Sequence, residues 1–447
     1  MSSAYLVGLD LGTTSVKACA FNETGEMVEE CITPYELEYS SKGAAVQDPQ
    51  AVVEAAKKSL KGLIDNLDSK PKCIGISTAM HSVILLNENK QAITPVITWA
   101  DTRAVEVIED FSEEQRNELL RRTGTPVHPM SPLVKLRWLK QAQPENWKKM
   151  AFVSDLKSYL VNEWTTDGLV LDTNLASATG IFGAKAKTWD EEALELAGIT
   201  EEELPEIVPP TYQLNWKKGV AEELGLGDVP FVIGGSDGCL ANLGSELRSG
   251  DVALSIGTSG AVRTTHQQVE IDPATGLFNY HIQGKDYAVG GATNNGGKVM
   301  EWLFELLGKP YENIGEMIES AAEVDCEGLC FSPYIYGERA PIYDANASGS
   351  FTGIRGHHVP AQYARAALEG VTNNLVEILK NLEKVTGPAQ RIIASGGFTR
   401  SAFWVELLAE RSGREVVIAD TAQASAYGAA LMAELSLENP ESSNAAG

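Results

Sequence analysis

Apolar residues cluster at Leu6, Val7 and Leu9, and again at Val16, Ala18 and Ala20, with a short polar break between them. This predicts strands over 5–10 and 16–21. Asn22 to Gly25 reads as a turn, and a third strand runs on to about Thr33. Asp48 followed by Pro49 is a helix cap followed by a proline at the first helical position. Val52, Val53, Ala56, Leu60, Leu63, Ile64 and Leu67 then follow at helical spacing. Lys72 to Ser77 and Val229 to Ile233 read as further strands. Pro360 opens a long helix with the stripe Tyr363, Ala367, Val371, Leu375, Ile378, Leu382 and Val385, and Gly387-Pro388 ends it. A strand at Arg391 to Ala394 precedes a helix at Ser401 to Glu410. Three strands followed by alternating helices and strands predict an α/β fold with a mixed sheet.

The opening pattern occurs twice. Tyr5 to Ala18 reads YLVGLDLGTTSVKA, and Asp251 to Arg263 reads DVALSIGTSGAVR. Gly12 lies over Gly257 in that alignment, about half a chain apart. A strand, a Gly-Thr turn and a second apolar strand in both places predict a duplicated domain. The length of 447 residues suits two domains.

Composition narrows the function. Sixty-one acidic residues against 36 basic ones leave a formal charge of −25, which speaks against nucleic acid or an anionic membrane as partner. Met1 to Tyr5 leads straight into a strand and no long apolar run follows, so no signal peptide or spanning helix is expected, and a cytoplasmic location is. The chain sets no oligomeric state and admits a homodimer. Cys19, Cys31, Cys73, Cys239, Cys326 and Cys330 have no zinc-ligand spacing and read as reduced thiols.

Several short segments carry chemistry. Asp10-Leu-Gly12-Thr13-Thr14-Ser15 is a hairpin tip of glycine and small hydroxyls, which presents N–H groups to an anion; Asp10 at the strand end suits Mg²⁺. Gly257-Thr258-Ser259-Gly260 is its second copy, and two such tips can close on one polyphosphate. Gly234-Gly235-Ser236-Asp237-Gly238 places a carboxylate after a strand, near the junction of the halves, where it can accept a hydroxyl proton. Gly396-Gly397 lets backbone approach a flat ligand such as adenine. His81, Trp99, Asp101 and Arg103 are residue types that suit a polyol. Each segment alone also fits an ordinary turn or strand end.

Together these motifs resemble the FGGY carbohydrate kinase family, from about residue 4 to 434. The resemblance lies in Gly8 to Thr14, Met130 to Leu139, Glu338-Arg339-Ala340-Pro341, Gly349 to Ile354, Tyr363 to Gly370 and Ala394 to Gly397. Tyr363 departs from the usual aliphatic residue, and Gly235-Ser236-Asp237-Gly238 from a glycine- and asparagine-containing version. The resemblance implies two ribonuclease H-like (actin-like ATPase) domains, 1–246 and 247–447, with a ligand cleft between them. It implies ATP and Mg²⁺, with Asp237 as base and Asp10 as the metal-associated carboxylate. Gly12, Thr13, Thr14, Gly257 and Thr258 would contact phosphate, and Gly396 and Gly397 the nucleotide. Met80, His81, Trp99, Asp101 and Arg103 would touch the acceptor. Ala79 to Ser82, Ile97 to Asp101, Gly124 to Met130 and Gly291 to Gly297 resemble the gluconate-phosphorylating branch, which implies transfer to the terminal hydroxyl of D-gluconate. Arg103, Arg263, Lys298 and Arg339 are the cations available to its carboxylate. The alternatives are a xylulose, glycerol or other polyol kinase, and a non-transferring actin-like ATP switch.

Overall fold

A computed structural model describes residues 5–40, 42–245, 247–269, 272–419 and 423–438. The polar sequence from Glu438 to Gly447 lies, past Glu438, outside the described residues. The first sheet is built from β1 (Leu6–Leu11), β2 (Ser15–Phe21), β3 (Met27–Pro34), β4 (Cys73–Thr78), β5 (Gln213–Leu214) and β6 (Phe231–Ser236), with helix α1 (Pro49–Asn66) between β3 and β4. Helix α2 (Asp237–Gly244) follows β6 without a break. The second sheet is built from β7 (Asp251–Ile256), β8 (Gly260–His266), β9 (Phe278–Gln283), β10 (Asp286–Thr293), β11 (Arg391–Ser395) and β12 (Glu415–Ile418). Helix α3 (Pro360–Thr386) connects β10 towards β11, α4 (Ala402–Ser412) lies between β11 and β12, and α5 (Ala424–Glu438) ends the described chain.

Strand order is β5-β6-β4-β1-β2-β3 in the first sheet and β9-β10-β8-β7-β11-β12 in the second. The repeat seen in the sequence is thus structural. β1 pairs antiparallel with β2 and parallel with β4; β7 pairs antiparallel with β8 and parallel with β11. In both sheets a Gly-Thr turn joins the two antiparallel strands. The sheets are mixed: the hairpin strands pair antiparallel and β4, β6 and β11 pair parallel with their neighbours β1, β4 and β7, while β5 pairs antiparallel with β6 at the edge.

Each sheet has its own core. Val7, Leu9, Ile74, Ile76 and Ile233 pack with Val52, Val53, Ala56, Leu60 and Leu63, the predicted stripe of α1. Asp48 caps that helix, accepting from Gln50 N–H at 2.9 Å. In the second half Val252, Leu254 and Ile392 pack with Ala367, Val371, Leu375, Ile378 and Leu382 of α3. A third core, around Leu133, Leu136, Leu139, Leu171 and Phe182, belongs to the long stretch between β4 and β5.

α5 does not stay with the second sheet. It packs across the first one, where Ala426, Tyr427, Ala430 and Ala433 meet Leu6, Cys19, Phe21, Cys73 and Val232. Glycines let it come close. A Cβ at Gly8 would stand 1.8 Å from the Ala426 carbonyl oxygen, and one at Gly75 2.0 Å from that of Ala429. α5 also crosses α2 at Gly244 and Gly428 with similar closeness. No helix among the described residues is long and apolar enough to cross a membrane.

Candidate active site

The parallel strands of both sheets end at one cleft, the place where open α/β sheets bind ligands. Asp10 comes from β1, Ser77 and Thr78 from β4, and Asp237 begins α2 directly after β6. The Gly257 turn follows β7, and Gly396 follows β11. The predicted phosphate and nucleotide residues therefore share one edge of each sheet because of strand direction alone.

Asp237 is held by its backbone. Gly234 has φ +66, and a Cβ there would sit 1.9 Å from the Ile76 carbonyl oxygen, so only glycine fits. The register of β6 against β4 shifts between Val232 and Gly235 at this point. Asn174 Oδ1 accepts from Ser236 N–H at 3.1 Å and from Ser236 Oγ at 2.7 Å. Lys157 Nζ donates to the Gly235 carbonyl at 3.1 Å and stands 2.5 Å from Asp172 Oδ2, a contact of charge rather than of hydrogen-bond angle. Ser425 of α5 donates to the Asp237 carbonyl at 3.2 Å. Burial pushes the Asp237 carboxyl up to about 6, and the Asp10 carboxylate adds to that rise; the Gly238 N–H, Arg263 and the Met80 N–H oppose it. Asp10 is buried too, and its carboxyl is raised by burial and lowered by the Ser77 hydroxyl, which donates to Oδ1 at 2.7 Å, and by Lys17.

A cavity of about 240 Å³ opens in front of Asp237. Both halves of the chain line it: Thr13, Met80, His81 and Trp99 from the first, and Ser259, Gly260, Arg263, Tyr280, Arg339 and Tyr343 from the second. His81 is buried with φ 69, and its Nδ1 lies 2.7 Å from the Ala178 carbonyl oxygen. Burial, and then Lys135, lower its pKa to about 3. The ring is therefore neutral, Nδ1–H donates, and Nε2 is left as an acceptor. Trp99 Nε1 donates to Thr13 Oγ1 at 3.1 Å, which ties this wall of the cavity to the first Gly-Thr turn.

Asp101 and Arg103 do not line the cavity. Arg103 grips Asp101 through Nε at 3.0 Å and Nη2 at 2.6 Å, and its guanidinium lies 4.6 Å from the centroid of the Trp138 ring. The Ala45 N–H also donates to Asp101. The pair is spent on itself and on the wall behind Trp99. Residue types alone suggested a polyol contact; the direction of the side chains removes it. Lys298 is absent from the lining as well, with Nζ 4.2 Å from the centroid of Tyr336.

The Gly-Thr turns differ in exposure. Gly12 and Thr13 are partly covered, with the Thr13 carbonyl accepting from Gln47 Nε2 at 2.7 Å, while Thr14, Gly257 and Thr258 are exposed. The Gly257 carbonyl accepts from the Gly297 N–H at 2.7 Å, so the start of helix Lys298–Leu306 lies beside the second turn. Gly396 takes φ +98 and a Cβ there would meet the Ile256 carbonyl oxygen at 2.4 Å, whereas Gly397 faces open space. A wider groove of about 1120 Å³, with Lys187, Trp189, Pro209 and Lys285 on its walls, holds none of the predicted residues. Tyr280 and Tyr343 carried no sequence signal of their own: one sits inside a strand, and the other lies in a loop two residues past the Glu338-Arg339-Ala340-Pro341 motif.

Residues 5–244 match the FGGY family of carbohydrate kinases, N-terminal domain, and residues 252–437 match the C-terminal domain of the same family. The chain is 36% identical to a gluconokinase of Bacillus subtilis, over 96% of this chain and 87% of that protein. The crystal structure of gluconate kinase from Lactobacillus acidophilus superposes with TM-score 0.92 and 35% identity, covering 98% of this chain and 90% of that one. A ligand-bound xylulose kinase from the same organism superposes with TM-score 0.91 and 35% identity, covering 97% and 90%. With both domains matched over nearly the whole length, the chain belongs to the FGGY family of carbohydrate kinases and is an ATP-dependent carbohydrate kinase.

Proposed function

We propose that this kinase transfers the γ-phosphoryl group of ATP to the terminal hydroxyl of D-gluconate, giving 6-phosphogluconate. The observation that carries this reading is a cavity lined both by a carboxylate, Asp237, and by an arginine without an ion-pair partner among the described residues, Arg339. The gluconokinase relative supports the same acceptor. In this reading residues 1–246 give the acceptor side and the first phosphate turn, and residues 247–447 the nucleotide side.

Asp237 accepts the hydroxyl proton and aims the oxygen at phosphorus. Positioning matters more than base strength here, because the transition state is loose. Gly12, Thr13, Thr14, Gly257 and Thr258 face the phosphates, and Gly396 and Gly397 lie against the nucleotide. Met80, His81 and Trp99 hold the sugar chain. Asp10 suits Mg²⁺: it is a hard oxygen donor near a second carboxylate, and that ion takes one or two carboxylates together with phosphate oxygens. When bound it would neutralise phosphate charge. A small-molecule substrate without nucleic acid, and a homodimer, accord with this reading.

ADP release with Mg-ATP should be strong with D-gluconate and weak with D-xylulose, glycerol, L-ribulose or no sugar. Turnover on a neutral sugar alone would move the acceptor to another branch, and release that no sugar stimulates would point to an ATP switch. The pH profile should follow Asp237. Its carboxyl must be ionised to act, and its pKa is raised to about 6, so kcat/KM should fall as pH drops through that value. A profile flat down to pH 5 would remove Asp237 from the role of base.

A further inference from the structure

Four buried polar atoms in and beside the cavity have no hydrogen-bond partner among the described residues. They are Arg339 Nε, Tyr280 Oη, Tyr343 Oη and His128 Nε2. Buried groups of this kind are ordinarily satisfied, so a cluster of them marks a place that something else fills. They stand together. Arg339 lies over Trp99, its guanidinium 5.2 Å from the ring centroid, and Nη2 donates to the Thr293 carbonyl at 2.9 Å. The Tyr343 N–H donates to the Arg339 carbonyl, and the Tyr343 ring meets His128 edge-on at 6.1 Å.

The region is rich in donors and short of negative charge. Glu338, next in the chain, is fully engaged: its carboxylate accepts from Thr293, Asn295, Asn374 and the Asn294 N–H. Asp101 is locked by Arg103. Asp237 lines the same cavity, and Arg263 is engaged beside it: Arg263 Nε donates to Asn242 at 2.9 Å and its charge acts on Asp237, while the Asp237 charge also acts on Arg339. Arg339, with no ion-pair partner among the described residues and Nε unpartnered, is therefore the cation left for an anionic ligand. A carboxylate can take the guanidinium and both tyrosine O–H donors in charge-assisted hydrogen bonds, which a neutral hydroxyl does not match.

We propose that Arg339, with the hydroxyls of Tyr280 and Tyr343, receives the carboxylate of the acceptor and selects a sugar acid over a neutral sugar. This rests on the gluconate reading above. Gluconate would then lie with its acid on Arg339 and its terminal hydroxyl on Asp237.

The test compares D-gluconate with D-glucitol, which carries CH₂OH in place of the carboxylate. Binding is measured by calorimetry and turnover by ADP release. In Arg339→Gln the Kd and KM for gluconate should rise ~100-fold, as for a truncated buried charge contact, with kcat changed less than about threefold. Glucitol binding should barely change, so the preference for the acid collapses. Arg339→Lys, which keeps charge without the fork, should recover part of it. Should Arg339→Gln fail to fold, Tyr343→Phe keeps the shape and should weaken gluconate ~5- to 10-fold and glucitol not at all. Equal loss for both ligands, or unchanged gluconate binding, overturns the assignment while leaving gluconate as substrate. A native enzyme that does not bind gluconate overturns both.

Discussion

Asp237→Asn should cut kcat by ~10²- to 10⁴-fold while the protein stays folded. The substitution keeps shape and still offers an oxygen to the Gly238 N–H, which donates to Oδ1 at 2.7 Å. It removes the carboxylate proposed to take the hydroxyl proton, so the effect belongs in kcat more than in KM. Stability gives an independent check. Burial raises the Asp237 carboxyl to about 6, above the ordinary range near 4 of an unfolded aspartate. The folded state thus binds the proton more tightly, and the ionised side chain weakens the fold progressively as pH rises through that window. An uncharged asparagine escapes this cost. The thermal midpoint at pH 7.5 should therefore hold or rise. A variant with full turnover would discard the proposed mechanism, and one that loses both activity and midpoint would reduce Asp237 to a structural residue.

Lys157→Met should cost ~3–5 kcal/mol of unfolding free energy. Lys157 and Asp172 are both completely buried, 2.5 Å apart, and Lys157 also donates to the Gly235 carbonyl under the Asp237 turn. Removing the amine strands a carboxylate in the interior, and that penalty exceeds anything the pair contributes as a pair. Urea unfolding measures it. A companion variant with Asp172→Leu as well should regain much of the loss, because the stranded charge is gone. A single variant within 1 kcal/mol of the native protein would contradict this account. Activity should suffer in the single variant too, since the turn that aims Asp237 loses a support.

Much of the site was legible because its residues are consecutive. Asp10 lies at the end of β1 with Gly12 and Thr13 in the turn after it, Asp237 and Gly396 each follow a strand, and strand direction brings them to one edge. The duplication announced the second sheet for the same reason. The acceptor wall was harder. Met80, His81 and Trp99 reach the cavity, while Asp101 and Arg103, two and four residues past Trp99, bond to each other behind it. Composition names the residue types but not their directions. Tyr280 and Tyr343 needed the second domain to fold over the first. α5 was illegible as a partner of the first sheet: nearly every turn of it is apolar or small, with no stripe to show which surface it covers.

That last helix has a consequence for how the chain is made. Chains emerge from the ribosome N-terminal end first, and domains tend to fold as they appear. Here the first sheet can form its hairpins early, but the glycine-lined face over Gly8 and Gly75 stays bare until residues past 424 have been synthesised. Throughout translation of the second domain the first one carries an open apolar surface, the kind that attracts chaperones and invites aggregation. The two domains of this kinase are therefore tied together in time as well as in space.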